Sequence, residues 1–165
     1  GQRLGAHDQQ FALPFGHATR LFDRRLDSID AAAQALHDHY GVVPATDIND
    51  ATAGADFIVL AVKPFVMPAV LPNVADAIPA NATIISVAAG IPISTYEAAF
   101  GSETPIVRAM PNTPAGIQKG ATGIAFNAAV PVEQREIIVE LFNAVGITEV
   151  VPESQMDAVN GLNSQ

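Results

Sequence analysis

The chain has 165 residues, of which 49% are hydrophobic and 15% charged, and a net charge of −9. That length suits one domain with a real core, and so little charge is typical of a chain carrying several fully buried strands. The acidic balance, with no basic cluster larger than Arg24-Arg25, argues against nucleic acid and anionic membrane as partners, and the absence of cysteine excludes disulfides, thiolate metal sites and cysteine nucleophiles.

Residues 1–19 hold no clean period, and Pro14 and Gly16 break any long element. Arg20 to Phe22 reads as a short strand ending at Asp23. Asp27 or Ser28 can cap a helix running to about Tyr40, with Ile29, Ala32, Ala33, Leu36 and Tyr40 on one face and Gly41 at its stop. Asp47 can cap a short helix through Ala53. Phe57 to Val62 is a continuous apolar run, the pattern of a strand buried on both faces, and Pro64 ends it. Residues 65–77 read as helix, Ala82 to Ala88 as strand, and Ile93 to Phe100 as a helix capped by Ser94 or Thr95. Pro105 to Met110 and Gly123 to Phe126 are further strands. Val132 to Val145 is an amphipathic helix with Pro131 at its start and Gly146 at its end. Ile147 to Val151 is the last strand, and Ser154 can cap a final helix. Strands alternating with helices at this spacing predict an α/β fold: a three-layer, Rossmann-like, mainly parallel sheet.

No apolar run approaches the ~20 residues of a membrane span, and the N-terminus lacks a signal-peptide layout. A cytoplasmic location is expected.

The stretch richest in chemistry is Val107 to Pro114, followed by Gly120-Ala121-Thr122. Pro111 has no N–H to donate, so the chain is expected to turn at the C-terminal end of its strand. Open α/β sheets keep their ligands at that edge. Asn112 and Thr113 offer an amide and a hydroxyl on a backbone stiffened by two prolines; they either face a ligand or cap a helix. Ala88-Ala89-Gly90 is small enough for a ligand to approach the backbone, or is simply a tight strand-to-helix turn. Lys63, at a strand end, could donate a proton. His37 and His39 are two apart on a predicted helix, which points them to different faces, so no metal site is expected. Glu133, Glu136 and Glu140 read as a solvated helix face.

Leu60-Ala61-Val62-Lys63-Pro64, Ser86-Val87-Ala88-Ala89-Gly90 and Met110-Pro111-Asn112-Thr113-Pro114 with Gly120-Ala121-Thr122 resemble, in order and spacing, segments of the pyrroline-5-carboxylate reductase family. Asp157-Ala158-Val159 with Gly161-Leu162 resembles the segment leading into that family's second domain. The match runs from about Phe22 to Leu162. It implies hydride reduction of 1-pyrroline-5-carboxylate to proline, with NADP as cofactor and NAD as the alternative. It implies cofactor contacts from the backbone of Ala61, Val62 and Lys63 and from Pro64, Ala88, Ala89 and Gly90. It also implies a nicotinamide side lined by Met110, Pro111, Asn112 and Thr113, and a looser contact from Asn49, which otherwise reads as an exposed helix residue. Arg24, after Asp23, either meets a cofactor phosphate or is a solvated surface residue; an acidic residue here suits NAD and a following arginine suits NADP.

Two family features are missing from this sequence. No Gly-x-Gly-x-x-Gly run stands near the N-terminus: Gly1, Gly5 and Gly16 are too far apart to cradle a pyrophosphate. Arg3-Leu4-Gly5 reads as the tail of a first helix with residues 8–18 an insertion, or Phe11 to Phe15 replaces the first strand. Nor is the helical dimerisation domain, which the resemblance implies would supply most of the substrate pocket, expected within these 165 residues. The expected organisation is therefore residues 1–19 irregular, 20–152 a dinucleotide-binding domain and 153–165 the start of a linker helix, with homo-oligomers expected only for a complete enzyme. A non-catalytic binding or assembly module is the alternative reading.

Overall fold

A computed structural model describes residues 20–21, 43–44, 47–112, 120–144 and 146–156. β1 (Arg20–Leu21) and β2 (Val43–Pro44) pair in parallel as a small sheet. The main sheet has five strands: β3 (Phe57–Leu60), β4 (Thr83–Ser86), β5 (Ile106–Asn112), β6 (Gly120–Phe126) and β7 (Gly146–Val150). They lie side by side in chain order. The β3–β4, β4–β5 and β6–β7 pairs are parallel; β5–β6 is antiparallel. The helices are α1 (Ile48–Thr52), α2 (Met67–Ala77), α3 (Ile93–Phe100) and α4 (Val132–Asn143), with 3-10 turns at Pro64–Val66 and Glu153–Gln155.

Alternation along each strand sends side chains to two cores. Ile58, Leu60, Ile84, Ile106 and Met110 pack with Met67, Val70, Leu71 and Val74 of α2 and with Ile93 and Tyr96 of α3. Ile85, Val107, Ala109 and Ile124 point the other way, onto Ile138 and Phe142 of α4. This is the expected three-layer, mainly parallel α/β arrangement. The three continuous apolar runs are the adjacent strands β3, β4 and β5.

Four expectations need correction. β5 does not stop at Met110: Pro111 and Asn112 pair with Thr122 and Ala121. β4 has already left β5 after the Ser86–Arg108 pair, so past that point β5 carries β6 on one side only. A proline is tolerated where its missing N–H faces no ladder. For the same reason β6 begins at Gly120, not Gly123. The helix at Ile93 has Pro92 as its N-cap residue with no side-chain cap bond, so Ser94 and Thr95 do not cap it. Ser154 lies inside a 3-10 turn whose N-cap is Pro152, and the final helix expected after it lies outside the described residues. Finally, residues 65–77 begin as a 3-10 turn at Pro64 and become α-helical only at Met67.

Asp47 caps α1 as expected, its Oδ1 accepting from the Asp50 N–H at 2.7 Å. The helix expected over 27–40 and the organisation of residues 1–19 lie outside the described residues, as do residues 157–165.

Candidate functional site

Because β3, β4 and β5 are adjacent and parallel, the segments that follow them emerge at one edge of the sheet. After β3, Ala61 is exposed, Val62 half-buried, and Lys63 and Pro64 exposed. The Lys63 carbonyl accepts the Val66 N–H at 2.9 Å, which closes the 3-10 turn. After β4, the Val87 N–H donates to the Leu60 carbonyl at 3.2 Å and keeps the first two segments together. Ala88 is buried, its N–H donating to Ser86 Oγ at 3.2 Å. Ala89 and Gly90 are exposed. Gly90 has φ +77°, a left-handed conformation that suits glycine, and a Cβ built there meets nothing within 4 Å. At the end of β5, Met110 is buried and Pro111 exposed.

The structure thus brings together Ala61, Val62, Lys63, Pro64, Ala88, Ala89, Gly90, Met110 and Pro111 by strand order. Asn112 is placed by its backbone, opposite Ala121. Its side chain, Thr113 and Arg24 lie outside the described residues. Asn49 is exposed on α1, between β2 and β3 in the chain, and follows none of the three site-bearing strands. Glu133, Glu136 and Glu140 are exposed on α4. Among the described residues, no three His, Asp or Glu side chains stand together in a way that could hold a metal ion.

A depression of about 420 Å³ lies elsewhere, lined by Phe126, Arg135, Glu136, Val139, Glu140 and Val150. Arg135 fills part of this region. Its Nε donates to the Val130 carbonyl at 3.1 Å, and its guanidinium lies 5.2 Å from the centre of the Phe126 ring. None of the strand-end residues borders it, so geometry at the sheet edge outweighs the size of this hollow.

Sequence reasoning missed a polar string beneath the strand-end edge: the buried Ser86, Tyr96 and Arg108, with the part-exposed Glu153 at its end. Ser86 and Tyr96 are hydrogen-bonded through their hydroxyls. Burial pushes the Tyr96 hydroxyl pKa up; the Ser86 bond and the Arg108 charge oppose this only in part. The one available signal was Arg108 itself, a lone charge in the apolar run Ile106 to Met110.

Comparison with known proteins gives a consistent picture. A family described as NADP oxidoreductase, coenzyme F420-dependent, matches residues 23–90. A pyrroline-5-carboxylate reductase of Methanosarcina acetivorans is 42% identical over 123 residues, which is 74% of this chain and 46% of that protein. The solved pyrroline-5-carboxylate reductase of Coxiella burnetii superposes with a TM-score of 0.80 at 29% identity, covering 96% of this chain and 60% of that one. The Plasmodium falciparum pyrroline carboxylate reductase, solved with NADP bound, gives a TM-score of 0.68 at 28% identity over 76% of this chain and 48% of that one. The chain spans about half the length of the curated relatives it matches.

Proposed function

We propose that this chain, which resembles the dinucleotide-binding domain of the pyrroline-5-carboxylate reductase family over 74% of its length, is the cofactor-holding part of an enzyme that reduces 1-pyrroline-5-carboxylate to proline. The cofactor we assign is NADPH, with NADH as the alternative. The observation that carries the reading is the edge itself. Three adjacent parallel strands run to one edge, where the residues after β3, the residues after β4 and the last residues of β5, which continues past β4, carry the three segments of the family's type.

The residues present fit a nicotinamide dinucleotide on the side of its nicotinamide and ribose. Ala61, Ala89 and Gly90 are exposed and small, and the open space over Gly90 would admit a flat ring or a sugar against the backbone. Met110 and Pro111 stiffen the far wall, and Asn112 and Thr113 supply polar groups to orient a carboxamide or ribose hydroxyl. On the pyrophosphate side the sequence offers no glycine loop, and Arg24 is the candidate phosphate contact. A bound reduced nicotinamide supplies hydride to the ring C=N carbon. The chain's own contribution is placement. A protonated imine accepts hydride without a strong protein acid, which agrees with an edge whose described residues present no acid/base pair. Lys63 is assigned a backbone role, not proton transfer.

The test compares the intact gene product with the 165-residue chain, following NAD(P)H consumption with 1-pyrroline-5-carboxylate in excess. The intact product should turn over, and the chain alone should show little or nothing. An intact product that consumes no NAD(P)H would end the reading. Turnover by the chain alone near an ordinary kcat of about 10 s⁻¹ would refute its dependence on further segments.

A further inference from the structure

The buried polar string beneath the edge is costly for a core of this kind. Ser86 and Tyr96 are fully buried and Arg108 is 2% exposed, while the Glu153 side chain, 36% exposed, reaches in from the surface. Arg108 lies opposite Ser86 on β4 and opposite Ala125 on β6, in the middle of the sheet. A buried guanidinium must be paired, and an apolar residue of similar volume is often as good for stability. The arrangement therefore asks for a use.

Its partner supplies one. Arg108 Nη1 is 3.5 Å from Glu153 Oε1. The same carboxylate oxygen accepts the Ile93 N–H at 2.5 Å. Ile93 is the first residue of α3, and Pro92 before it offers no side-chain cap. A carboxylate at a helix N-terminus satisfies an orphan donor and complements the helix dipole. Here it comes from the turn that follows the last strand. Met156, fully buried in the core beside α3, anchors that turn. Only Ile91 and Pro92 separate Ile93 from Gly90, and Arg108 is two residues from Met110. One carboxylate thus ties the start of α3, just after the Ala88–Gly90 turn, to β5, the two segments assigned to the nicotinamide side of the edge.

We propose that Glu153, held by Arg108, is a positioning residue for the dinucleotide cleft: it fixes the Ala88–Gly90 turn against β5 and makes that geometry depend on the segment after the sheet. The inference rests on the reading that this edge takes a nicotinamide dinucleotide. Its test has two arms. In the 165-residue chain, amide hydrogen exchange is measured by NMR for wild type, Glu153→Ala and Glu153→Gln. Loss of a bond to a charged acceptor should speed exchange by about tenfold or more at the hydrogen-bonded amides of residues 88–95, those of Ala88, Ile93 and Thr95. The amides of Ile85, Val107 and Ile124 should stay within about twofold of wild type, since local opening need not involve the core strands. Gln, which keeps an acceptor oxygen for the Ile93 N–H, should restore part of the protection. Unchanged exchange at 88–95, or equal acceleration throughout the core, would overturn the proposal. Should Glu153→Ala fail to fold, Glu153→Gln decides alone: about threefold faster exchange at the same amides supports the proposal, and none overturns it.

In the second arm, NADPH is titrated against the intact gene product. Glu153→Ala should raise Kd about tenfold, with Gln between. An unchanged Kd in Glu153→Ala would defeat the positioning role. A wild type that binds no NADPH would instead defeat the cofactor reading, and the exchange data would still decide whether Glu153 fixes the turn.

Discussion

Replacing Gly146 with alanine should be among the most damaging single-methyl changes in this fold. Gly146 on β7 faces Gly120 on β6 as a register pair. A Cβ at Gly146 would stand 2.0 Å from the Gly120 carbonyl oxygen, 2.7 Å from its carbon and 3.0 Å from its nitrogen. Carbon–oxygen contacts between strands ordinarily close to about 3.3 Å, so the methyl demands a shift of more than 1 Å. All three obstacles are backbone atoms, and no rotamer change relieves them. The strands must spread, or the Gly120–Gly146 end must unzip. Overpacking costs about 1–3 kcal/mol, and unzipping adds about 1 kcal/mol per lost ladder bond. A total near 3 kcal/mol follows. For a chain of this size each kcal/mol lowers Tm by about 2–4 °C, giving a drop of roughly 6–12 °C. Thermal and urea unfolding followed by circular dichroism would measure it. Gly90→Ala is the control, since its Cβ meets nothing within 4 Å; only the left-handed backbone opposes it, at about 1–2 kcal/mol. A Gly146→Ala Tm within about 3 °C of wild type, less than this scale allows, would refute the steric reasoning.

Asn127→Ala should cost about 1–3 kcal/mol, read as a lower urea midpoint at constant m-value: the side chain accepts the Ile106 N–H at 3.0 Å and donates to the Thr104 carbonyl at 2.9 Å. Tyr96 should govern alkaline stability. Burial, the largest influence, holds its folded pKa above the ordinary 10.0, so its contribution is complete below that value and is lost as pH rises through the folded pKa. Tyr96→Phe should remove this alkaline loss while costing about 1 kcal/mol at neutral pH; urea midpoints across the alkaline range decide it. In the intact gene product, Arg24→Ala should weaken NADPH more than NADH by about tenfold or more, and equal losses on titration would return Arg24 to the solvated surface. Asn112→Ala should lower kcat/KM with little change in melting midpoint; a stability loss of ~1 kcal/mol with intact kinetics would mark a helix cap instead.

Local pattern carried much of the fold. The continuous apolar runs at Phe57, Ala82 and Pro105 located β3, β4 and β5. β4 and the Ile106–Met110 part of β5 are buried on both faces as that pattern implies, whereas β3, at the end of the five-strand order, leaves Val59 53% exposed, so its run overstated its burial. Asp47 announced α1, because capping is settled within a few residues. What was illegible depends on distant segments. β5 runs through Pro111 because β4 ends first, a fact of strand lengths and not of the proline. Ser94 and Thr95 looked like caps for α3, but the donor at Ile93 is taken by a carboxylate far along the chain. β2, two residues ending in a proline, is too short to show a period. At the site, the small residues of the strand-end loops were readable from local chemistry. Arg108 was visible as an oddity, and only the folded sheet shows that Glu153 answers it.

The single antiparallel pair in the sheet also shapes how the molecule assembles. β5 and β6 are joined only through residues 113–119, whereas β3 reaches β4 across residues 61–82 and β4 reaches β5 across residues 87–105. Closing the shorter loop forfeits less chain entropy, and contacts between near neighbours in sequence speed folding. Met110 and Pro111 therefore belong to the pairing with the least entropic barrier. The Glu153 carboxylate meets the Ile93 N–H across a separation of 60 residues, so the latch of this edge forfeits more chain entropy on closing than its wall does.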